Sequence, residues 1–290
     1  MKIKLLVVVG PTASGKTGLA MRIAQEFDGE IIAADSQTVK RGLDIGTAKP
    51  TQDEQAAVKH HLIDVIDPYE RFTAGEFKRQ AEKVINEIYS RAKMPIIVGG
   101  SGMYIDALLY DFSFREVPDK NLRNELEKKS VEDLQKIIVE KELPRPENWQ
   151  NKRHLVRTLE TRGEKPLRAK LREGAVVIGM RPPKEVLHAR IEKRVEEMVK
   201  TGFIDEVDSL LKKYGHPPHD FDAIGYKIAL ENRDQTGNYD TEKIRQKFIQ
   251  ADKQYAKRQL SWFKRNKDIQ WFEHPDDALN YITQLLSSKA

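Results

Sequence analysis

The chain has 290 residues, enough for one large α/β domain or for one domain with an insertion, and we expect the second arrangement. Charged residues make up 33% and hydrophobic residues 39% of the sequence, which excludes a disordered chain, and no apolar stretch approaches the roughly 20 residues that cross a bilayer. The lack of cysteine excludes disulfides and thiolate zinc sites. We therefore expect a cytoplasmic protein in which any catalytic metal is held by oxygen or imidazole.

The net charge of +5 is unevenly distributed along the chain. Residues 151–172 contain eight Lys/Arg and two Glu, and residues 241–267 contain nine Lys/Arg and two acidic residues, so the rest of the chain is net acidic. Two basic segments on an otherwise acidic protein favour a polyanionic partner such as nucleic acid. The charge pattern is equally compatible with two solvated helix faces.

Strands and helices alternate in the first part of the chain. The apolar periodicity predicts, in order, a strand at Lys4–Val9, a helix at Lys16–Glu26, a strand at Glu30–Ala34, a helix at Ala74–Ala92 and a strand at Pro95–Val98. This order predicts a parallel sheet with right-handed crossovers.

The pattern changes near Phe114, where charged helical segments broken by "LPRPENW" begin. A strand at Ala175–Met180 follows, and helices fill most of the remainder, including one with a stripe of Leu187, Ile191, Val195 and Met198. We therefore predict a core domain of residues 1–113 and 175–290 and a helical insertion domain of residues 114–174.

The strongest motif is "GPTASGKT", which fits G-x-x-x-x-G-K-T and lies between the first predicted strand and helix. Glycines let backbone N–H groups converge on phosphate oxygens, the lysine supplies a point charge, and the threonine can ligate Mg²⁺. We thus predict a P-loop fold and a diphosphate or nucleotide site made by Gly10, Pro11, Thr12, Ala13, Ser14, Gly15, Lys16 and Thr17.

Two further segments follow predicted strands. Asp35 ends the second strand, at the sheet edge where α/β proteins bind ligands, and could hold Mg²⁺ through water or accept a proton from a nucleophile. An N-cap or Asx turn is the structural alternative. The later strand ends in Gly99, Gly100, Ser101 and Gly102 instead of a metal-binding acid, which suits either approach of a second substrate or a plain turn.

A resemblance covers nearly the whole chain, from Leu5 to Phe272. The segments "GPTASGKT", "ADS" with "RGLDIGTAKP", "HHLIDVIDP", "PIIVGGSGMY", "RVEEMVKTGFIDEV", "AIGYK" and "YAKRQLSWFKR" stand in an order and spacing similar to those of tRNA dimethylallyltransferases, the bacterial tRNA isopentenyltransferase family. The resemblance implies transfer of a dimethylallyl group from dimethylallyl diphosphate to N6 of adenine 37, beside the tRNA anticodon. The P-loop would then bind the leaving group, with Mg²⁺ as the cofactor.

Site roles also follow from the resemblance. It implies that Asp35 is the general base, that Ser101 contacts the target adenine, and that Arg194, assisted by Arg190, joins Lys16 on the diphosphate. The helical insertion would grip the anticodon stem of the tRNA, and the target base would flip out of its stack to reach the site. The implied tRNA contacts are Asp35, Ser36, Gln37, Thr38, Arg153, Arg157, Lys257 and Arg258, and we expect the protein to act as a monomer.

Three positions depart from the family pattern. Thr38 stands where a glutamine is usual, Lys40 replaces a tyrosine, and His154 replaces an arginine. These changes bear on RNA recognition and leave the prenyl-transfer residues intact. Trp262 and Phe263 fit either an RNA surface or the core, with at least one expected in the core, and His60 and His61 are interpreted as structural.

The residues leave three alternatives open. A small-molecule kinase would place ATP in the P-loop and use Asp35 on an acceptor hydroxyl. An adenylate isopentenyltransferase would act on a mononucleotide. A non-catalytic RNA-binding protein with a vestigial P-loop is opposed by the intact set of Lys16, Thr17, Asp35 and Arg194.

Overall fold

The computed structural model describes residues 3–114, 120–164, 167–215 and 223–287. It divides into two compact units, one made of Met1–Leu109 with Leu171–Ala290 and the other of Tyr110–Lys170. The predicted insertion includes residues 115–119 and 165–166, which lie outside the described residues. Its boundaries at 113/114 and 174/175 therefore stay a prediction.

A six-stranded parallel sheet forms the centre of the first unit within the described residues. Its strands lie in the spatial order β3-β2-β4-β1-β5-β6. The predicted parallel sheet is confirmed. The strands in chain order are β1 Leu5–Val9, β2 Gly29–Ala33, β3 His60–His61, β4 Met94–Gly99, β5 Ala175–Met180 and β6 Ile269–Phe272.

Helices flank this sheet, as the P-loop fold predicts. No helix among the described residues is long and apolar enough to cross a membrane. The helices in chain order are α1 Lys16–Glu26, α2 Gln52–Ala57, α3 Ala74–Ser90, α4 Gly102–Leu109, α5 Lys120–Lys128, α6 Val131–Glu140, α7 Lys152–Glu160, α8 Lys184–Lys200, α9 Phe203–Tyr214, α10 Ile224–Glu231, α11 Thr241–Phe263 and α12 Pro275–Ser287.

The core explains why the strands read as continuous apolar runs. Every residue of β1 is buried, as expected for a central parallel strand covered on both faces. α1 and α12 pack against the sheet through Ile23 and Ile282, among others. The edge strand β6, with the sequence IQWF, was missed by the sequence analysis because it is short and only Ile269 in it is fully buried.

A second apolar cluster joins α8 to α11. Val195, Phe203, Tyr226 and Phe248 are each at most 2% exposed and contact one another or shared neighbours in this cluster. The four residues of the predicted α8 stripe are all buried, which confirms its orientation. This cluster anchors α11, the helix that carries much of the candidate site.

The second unit is helical in its described part and contains α5, α6 and α7. Its small core includes Leu134, Ile138 and Leu155. Glu160 is buried beside this core, where Arg123 and Arg157 donate to its carboxylate. A buried carboxylate requires such partners, so these two arginines stabilise the unit from within.

Candidate functional site: a diphosphate loop beside a carboxylate loop

The P-loop connects β1 to α1 and requires glycine at two points. Gly15 precedes α1 with φ 89°, a left-handed conformation that glycine adopts without strain. A Cβ on Gly10 would lie 2.7 Å from both the Met180 carbonyl oxygen and Ser14 Oγ. The loop is therefore tightly folded at the N-terminus of α1, where free backbone N–H groups and the helix dipole favour anions.

Lys16 sits in this loop with its ammonium partly removed from water. Its Nζ donates to the Pro11 carbonyl oxygen at 3.1 Å. Burial lowers the pKa of Lys16 to about 8, the nearby Asp35 carboxylate opposes that shift, and the Arg194 guanidinium adds to it. The three predicted residues Lys16, Asp35 and Arg194 thus share one electrostatic site.

Asp35 closes β2 and forms an Asx turn. Its Oδ1 accepts the backbone N–H of Gln37 at 2.8 Å and that of Thr38 at 3.4 Å. No group among the described residues donates to Oδ2, so one carboxylate oxygen stays available to a substrate proton. The Asx-turn alternative is therefore observed, and it is compatible with a basic role for the second oxygen.

Ser101 joins the carboxylate loop to the end of β4. The Ser36 N–H donates to Ser101 Oγ at 3.0 Å, and the Ser101 N–H donates to the Ala34 carbonyl at 3.3 Å. These bonds place Ser101 beside Asp35 although β2 and β4 are distant in sequence. The Ser101 hydroxyl hydrogen has no acceptor among the described residues, which leaves it free to donate to a ligand.

The glycines after β4 admit protein groups rather than open space. A Cβ on Gly100 would lie 2.2 Å from Nε2 of Gln259, and one on Gly102 would lie 2.3 Å from the Trp262 ring. Neither of the two interpretations of this segment, a plain turn or a site for substrate approach, included these packing partners. Trp262 Nε1 also donates to Asp106 at 2.9 Å, which fixes its ring over α4.

Gln259 is a site residue that the sequence analysis did not identify. It is 6% exposed, its Oε1 accepts the Thr12 N–H at 2.8 Å, and its Nε2 donates to the Gly100 carbonyl at 3.1 Å. A signal was present, because Asp252, Ala256, Gln259 and Phe263 follow helical spacing on one buried face of α11. The high charge of the segment obscured this inward face.

Arg194 reaches the site from α8 and is held by α11. Its guanidinium pairs with Asp252, which is 4% exposed, and its Nε atom is buried without a hydrogen-bond partner among the described residues. Burial raises the pKa of Asp252, and Arg194 partly offsets that rise. Arg190, one turn earlier, donates to the Ser14 carbonyl at 3.4 Å, so both arginines lie at the P-loop.

The oxygen ligands available for Mg²⁺ are few. Among the described residues there is no group of three or more His, Cys, Asp or Glu able to hold a metal ion. The Thr17 hydroxyl has no hydrogen-bond partner there, and Asp35 offers Oδ2. This sparse set fits Mg²⁺, which is usually held by one or two protein groups, several waters and substrate phosphates.

The adjacent histidines are structural, as interpreted from the sequence. His61 Nε2 lies 2.7 Å from Glu30 Oε2, and His60 Nδ1 lies 2.7 Å from the Val58 carbonyl. Arg91 completes the cluster by donating twice to Glu30, whose pKa lies at about 2 because these hydrogen bonds outweigh burial. The cluster ties β3 and α3 to β2.

A basic groove follows the solvent side of α11. Its volume is about 470 Å³. Lys257 and Arg258 are exposed, and the Arg258 guanidinium lies 5.6 Å from the Tyr255 ring centroid. Phe263 is fully buried, which confirms that one of the two aromatic residues belongs to the core. The groove is lined by Gln254, Lys257, Arg258, Ser261, Trp262 and Arg265.

The loop after Asp35 is held closed by a carboxylate. Glu206 accepts the consecutive N–H groups of Asp44, Ile45 and Gly46 at 2.8 to 3.1 Å and also accepts the Tyr226 hydroxyl. This arrangement rigidifies the segment "GLDIGTAKP". No sequence motif indicates this role of Glu206.

The predicted RNA contact Thr38 is less exposed than direct contact requires, and so is Lys40, a second departure from the family pattern. Thr38 is 6% exposed and Lys40 is 7% exposed, so both departures from the family pattern lie inside the loop. In the second unit, Arg153 is exposed on α7, whereas Arg157 is half-buried in its pair with Glu160. Arg153 is thus the more accessible of the two predicted contacts there.

The geometry can be compared with known proteins. Residues 38–266 match the family model described as IPP transferase. The chain belongs to the IPP transferase family. One relative in this family, the tRNA dimethylallyltransferase of Macrococcus caseolyticus, is 36% identical over 99% of this chain and 96% of its own length.

Solved structures of the family share the architecture. The tRNA isopentenylpyrophosphate transferase of Bacillus halodurans is 34% identical, covers 99% of this chain with 98% of its own, and superposes with a TM-score of 0.74. A eukaryotic dimethylallyltransferase acting on tRNA is 22% identical over 99% of this chain and 80% of its own, with a TM-score of 0.78. The second comparison supports the fold alone.

Proposed function

We propose that this protein is a tRNA dimethylallyltransferase, which transfers a dimethylallyl group from dimethylallyl diphosphate to N6 of adenine 37. The observation that carries the proposal is the position of Asp35. It lies within electrostatic reach of Lys16 in the phosphate loop, and none of the described residues donates to one of its two oxygens. A phosphate loop facing a free carboxylate suits displacement of a diphosphate by a nucleophile that must lose a proton.

The P-loop holds the leaving group in this reaction. The N-terminus of α1, Lys16 and Arg194 supply positive charge to the diphosphate, and Arg190 lies beside the same loop. As the bond between the prenyl carbon and the diphosphate oxygen breaks, negative charge grows on that oxygen. The fixed charges stabilise it without reorganisation, because Asp252 already orients Arg194.

The acceptor amine is deprotonated on the side of the prenyl carbon opposite the diphosphate. Adenine N6 forms the new bond to the prenyl carbon and becomes positively charged until a proton leaves. Asp35 Oδ2 accepts that proton, while the backbone N–H groups on Oδ1 hold the carboxylate in place. The Ser101 hydroxyl is positioned by Ser36 to orient the base.

Mg²⁺ is the proposed cofactor. When bound, it neutralises charge on the diphosphate and so makes it a better leaving group. Thr17 and, through water, Asp35 are the residues that would hold it.

The RNA is proposed to bind along the α11 groove and the helical second unit. Lys257 and Arg258 offer exposed charge to backbone phosphates, and Arg153 offers the same on α7. The predicted loop contacts of Ser36, Gln37 and Thr38 stay proposals, with Thr38 requiring the loop to open. A monomeric state and a cytoplasmic location stay predictions from the sequence.

The test is a transfer assay with labelled dimethylallyl diphosphate and Mg²⁺. Three acceptors are compared, namely an anticodon stem-loop with adenine at position 37, the same stem-loop with guanine there, and AMP. Label on the adenine stem-loop alone supports the proposal. Label on AMP would instead assign an adenylate isopentenyltransferase, and ATP turnover without prenyl transfer would assign a kinase.

A further inference from the structure

Gln259 makes contacts to both loops of the proposed site. Its amide oxygen accepts the N–H of Thr12 in the phosphate loop, and its amide nitrogen donates to the carbonyl of Gly100, the residue before Ser101. The oxygen and the nitrogen of one buried amide are therefore bonded to different loops.

The two loops are built around this amide. Gly100 is the residue that leaves room for it, since a Cβ there would lie 2.2 Å from Nε2. Glutamine supplies an acceptor and a donor at the end of a three-carbon chain, so shorter or purely accepting side chains cannot replace both bonds. The pairing also fixes which amide atom faces which loop.

The bonded loops carry opposite halves of the proposed reaction. Thr12 belongs to the loop that holds the diphosphate, whereas Gly100 continues into Ser101, which accepts the N–H of Ser36 next to Asp35. Hydrogen bonds and short stretches of backbone therefore connect the phosphate loop to Ser36, the neighbour of the proposed base Asp35. The distance between prenyl carbon and adenine nitrogen depends on the spacing of these loops.

We propose that Gln259 is a positioning residue that fixes the separation of the phosphate loop from the loop of Gly100 and Ser101. This inference rests on the proposed function. Because Gln259 lies on α11, whose outer side forms the basic groove, RNA bound in the groove contacts the same helix that spaces the two loops. Gln259 acts on catalysis through Thr12 and Gly100 rather than by touching substrate.

The first variant removes both bonds at similar side-chain volume. Gln259→Met is expected to lower kcat by about 100-fold, since a misplacement of roughly 1 Å costs that much in a two-substrate reaction. The KM values for dimethylallyl diphosphate and for the stem-loop should stay within about threefold. Gln250→Ala, on an exposed position of the same helix, is the matched control and should retain kcat.

The second variant, Gln259→Glu, gives a test that depends on pH. An ionised carboxylate still accepts the Thr12 N–H but repels the Gly100 carbonyl, whereas a protonated carboxyl group can accept from one and donate to the other. Burial favours the protonated form. The ratio of the variant kcat to the kcat of the unsubstituted protein should therefore rise as pH falls from 8 to 6.

These measurements separate the inference from the proposed function. A kcat loss with preserved KM values for Gln259→Met, together with the pH-dependent recovery of Gln259→Glu, supports positioning. Near-normal kcat in Gln259→Met, or a loss that appears only as a higher KM or a smaller folded fraction, overturns it. If Gln259→Met does not fold, a Gln259→Glu ratio that stays far below one from pH 8 to pH 6 overturns it equally. No transfer by the unsubstituted protein overturns the proposed function and this inference with it.

Discussion

Replacing Asp35 by asparagine separates the two roles that the structure gives this carboxylate. Asparagine keeps an amide oxygen to accept the N–H groups of Gln37 and Thr38, but it has no basic oxygen for a substrate proton. Loss of a general base commonly costs 10²-fold to 10⁴-fold in rate, so Asp35→Asn should lower kcat by at least about 100-fold, or about 2.7 kcal/mol. Its thermal stability should be unchanged.

Asp35→Ala adds a structural loss to the chemical one. It removes both bonds of the Asx turn, and each is worth about 1 kcal/mol at a half-exposed site. At roughly 2 to 4 °C per kcal/mol for a protein of this size, Tm should fall by about 4 to 8 °C while kcat falls as far as in Asp35→Asn. Stem-loop affinity should fall more in this variant, because the loop beside it loosens.

The assay is single-turnover prenyl transfer at saturating donor and stem-loop, with Tm measured on the same samples. Single-turnover conditions isolate the chemical step from product release. If Asp35→Asn transferred the prenyl group at more than about a third of the unsubstituted rate, Asp35 would not be the base. If Asp35→Ala kept its Tm, the Asx turn would not contribute to stability.

Three further predictions follow from charges at the site and beyond it. Because burial places the pKa of Lys16 at about 8, its ammonium is charged below that pH and neutral above it, so pyrophosphate affinity should fall between pH 7 and 9.5. Lys16→Arg stays charged and serves as the control in titration calorimetry. Equal pH profiles of the two proteins would contradict the reasoning. Stem-loop affinity should fall steeply with salt. Lys257→Ala and Arg258→Ala should each reduce the slope of log affinity against log salt concentration by about 0.7 to 0.9. A flat salt response of the unsubstituted protein would contradict the charge argument. Glu206→Gln places an amide NH₂ among four donors, so it should lower the free energy of unfolding by roughly 2 to 4 kcal/mol in chemical denaturation. An unchanged denaturation midpoint would show that the loop at residues 44–46 does not depend on this carboxylate.

Local sequence was sufficient for the elements whose signals are short-range. The run from Leu5 to Val9 before "GPTASGKT" predicted both β1 and the start of α1, because a buried parallel strand and a phosphate loop each have their own residue pattern. The inward stripe of α8 followed from spacing alone. β6 was missed because an edge strand of four residues has too little apolar periodicity to distinguish it from a turn.

The pairing of distant polar groups could not be predicted in the same way. Gln259, Asp252 and Glu206 looked like ordinary polar residues of charged helices, and each becomes specific only through a partner far along the chain: Thr12, Arg194 and the loop at 44–46. Such partners are set by how helices pack on the sheet. Nothing in the periodicity of one helix identifies the backbone group that its polar side chain will meet.

The sequence by itself determined the chemistry that the chain can perform, because a phosphate loop, a carboxylate after β2 and a hydroxyl after β4 are written as residue types at fixed distances from strands. The tertiary structure decided how these groups are spaced. β4 lies between β2 and β1 in the sheet, so Asp35, Ser101 and the loop of Lys16 meet at one edge. The buried amide of Gln259 on α11 bonds the loop of Lys16 to Gly100, the residue before Ser101. Strand order and helix packing are long-range outcomes of burying the apolar core, and they alone convert separate motifs into one site.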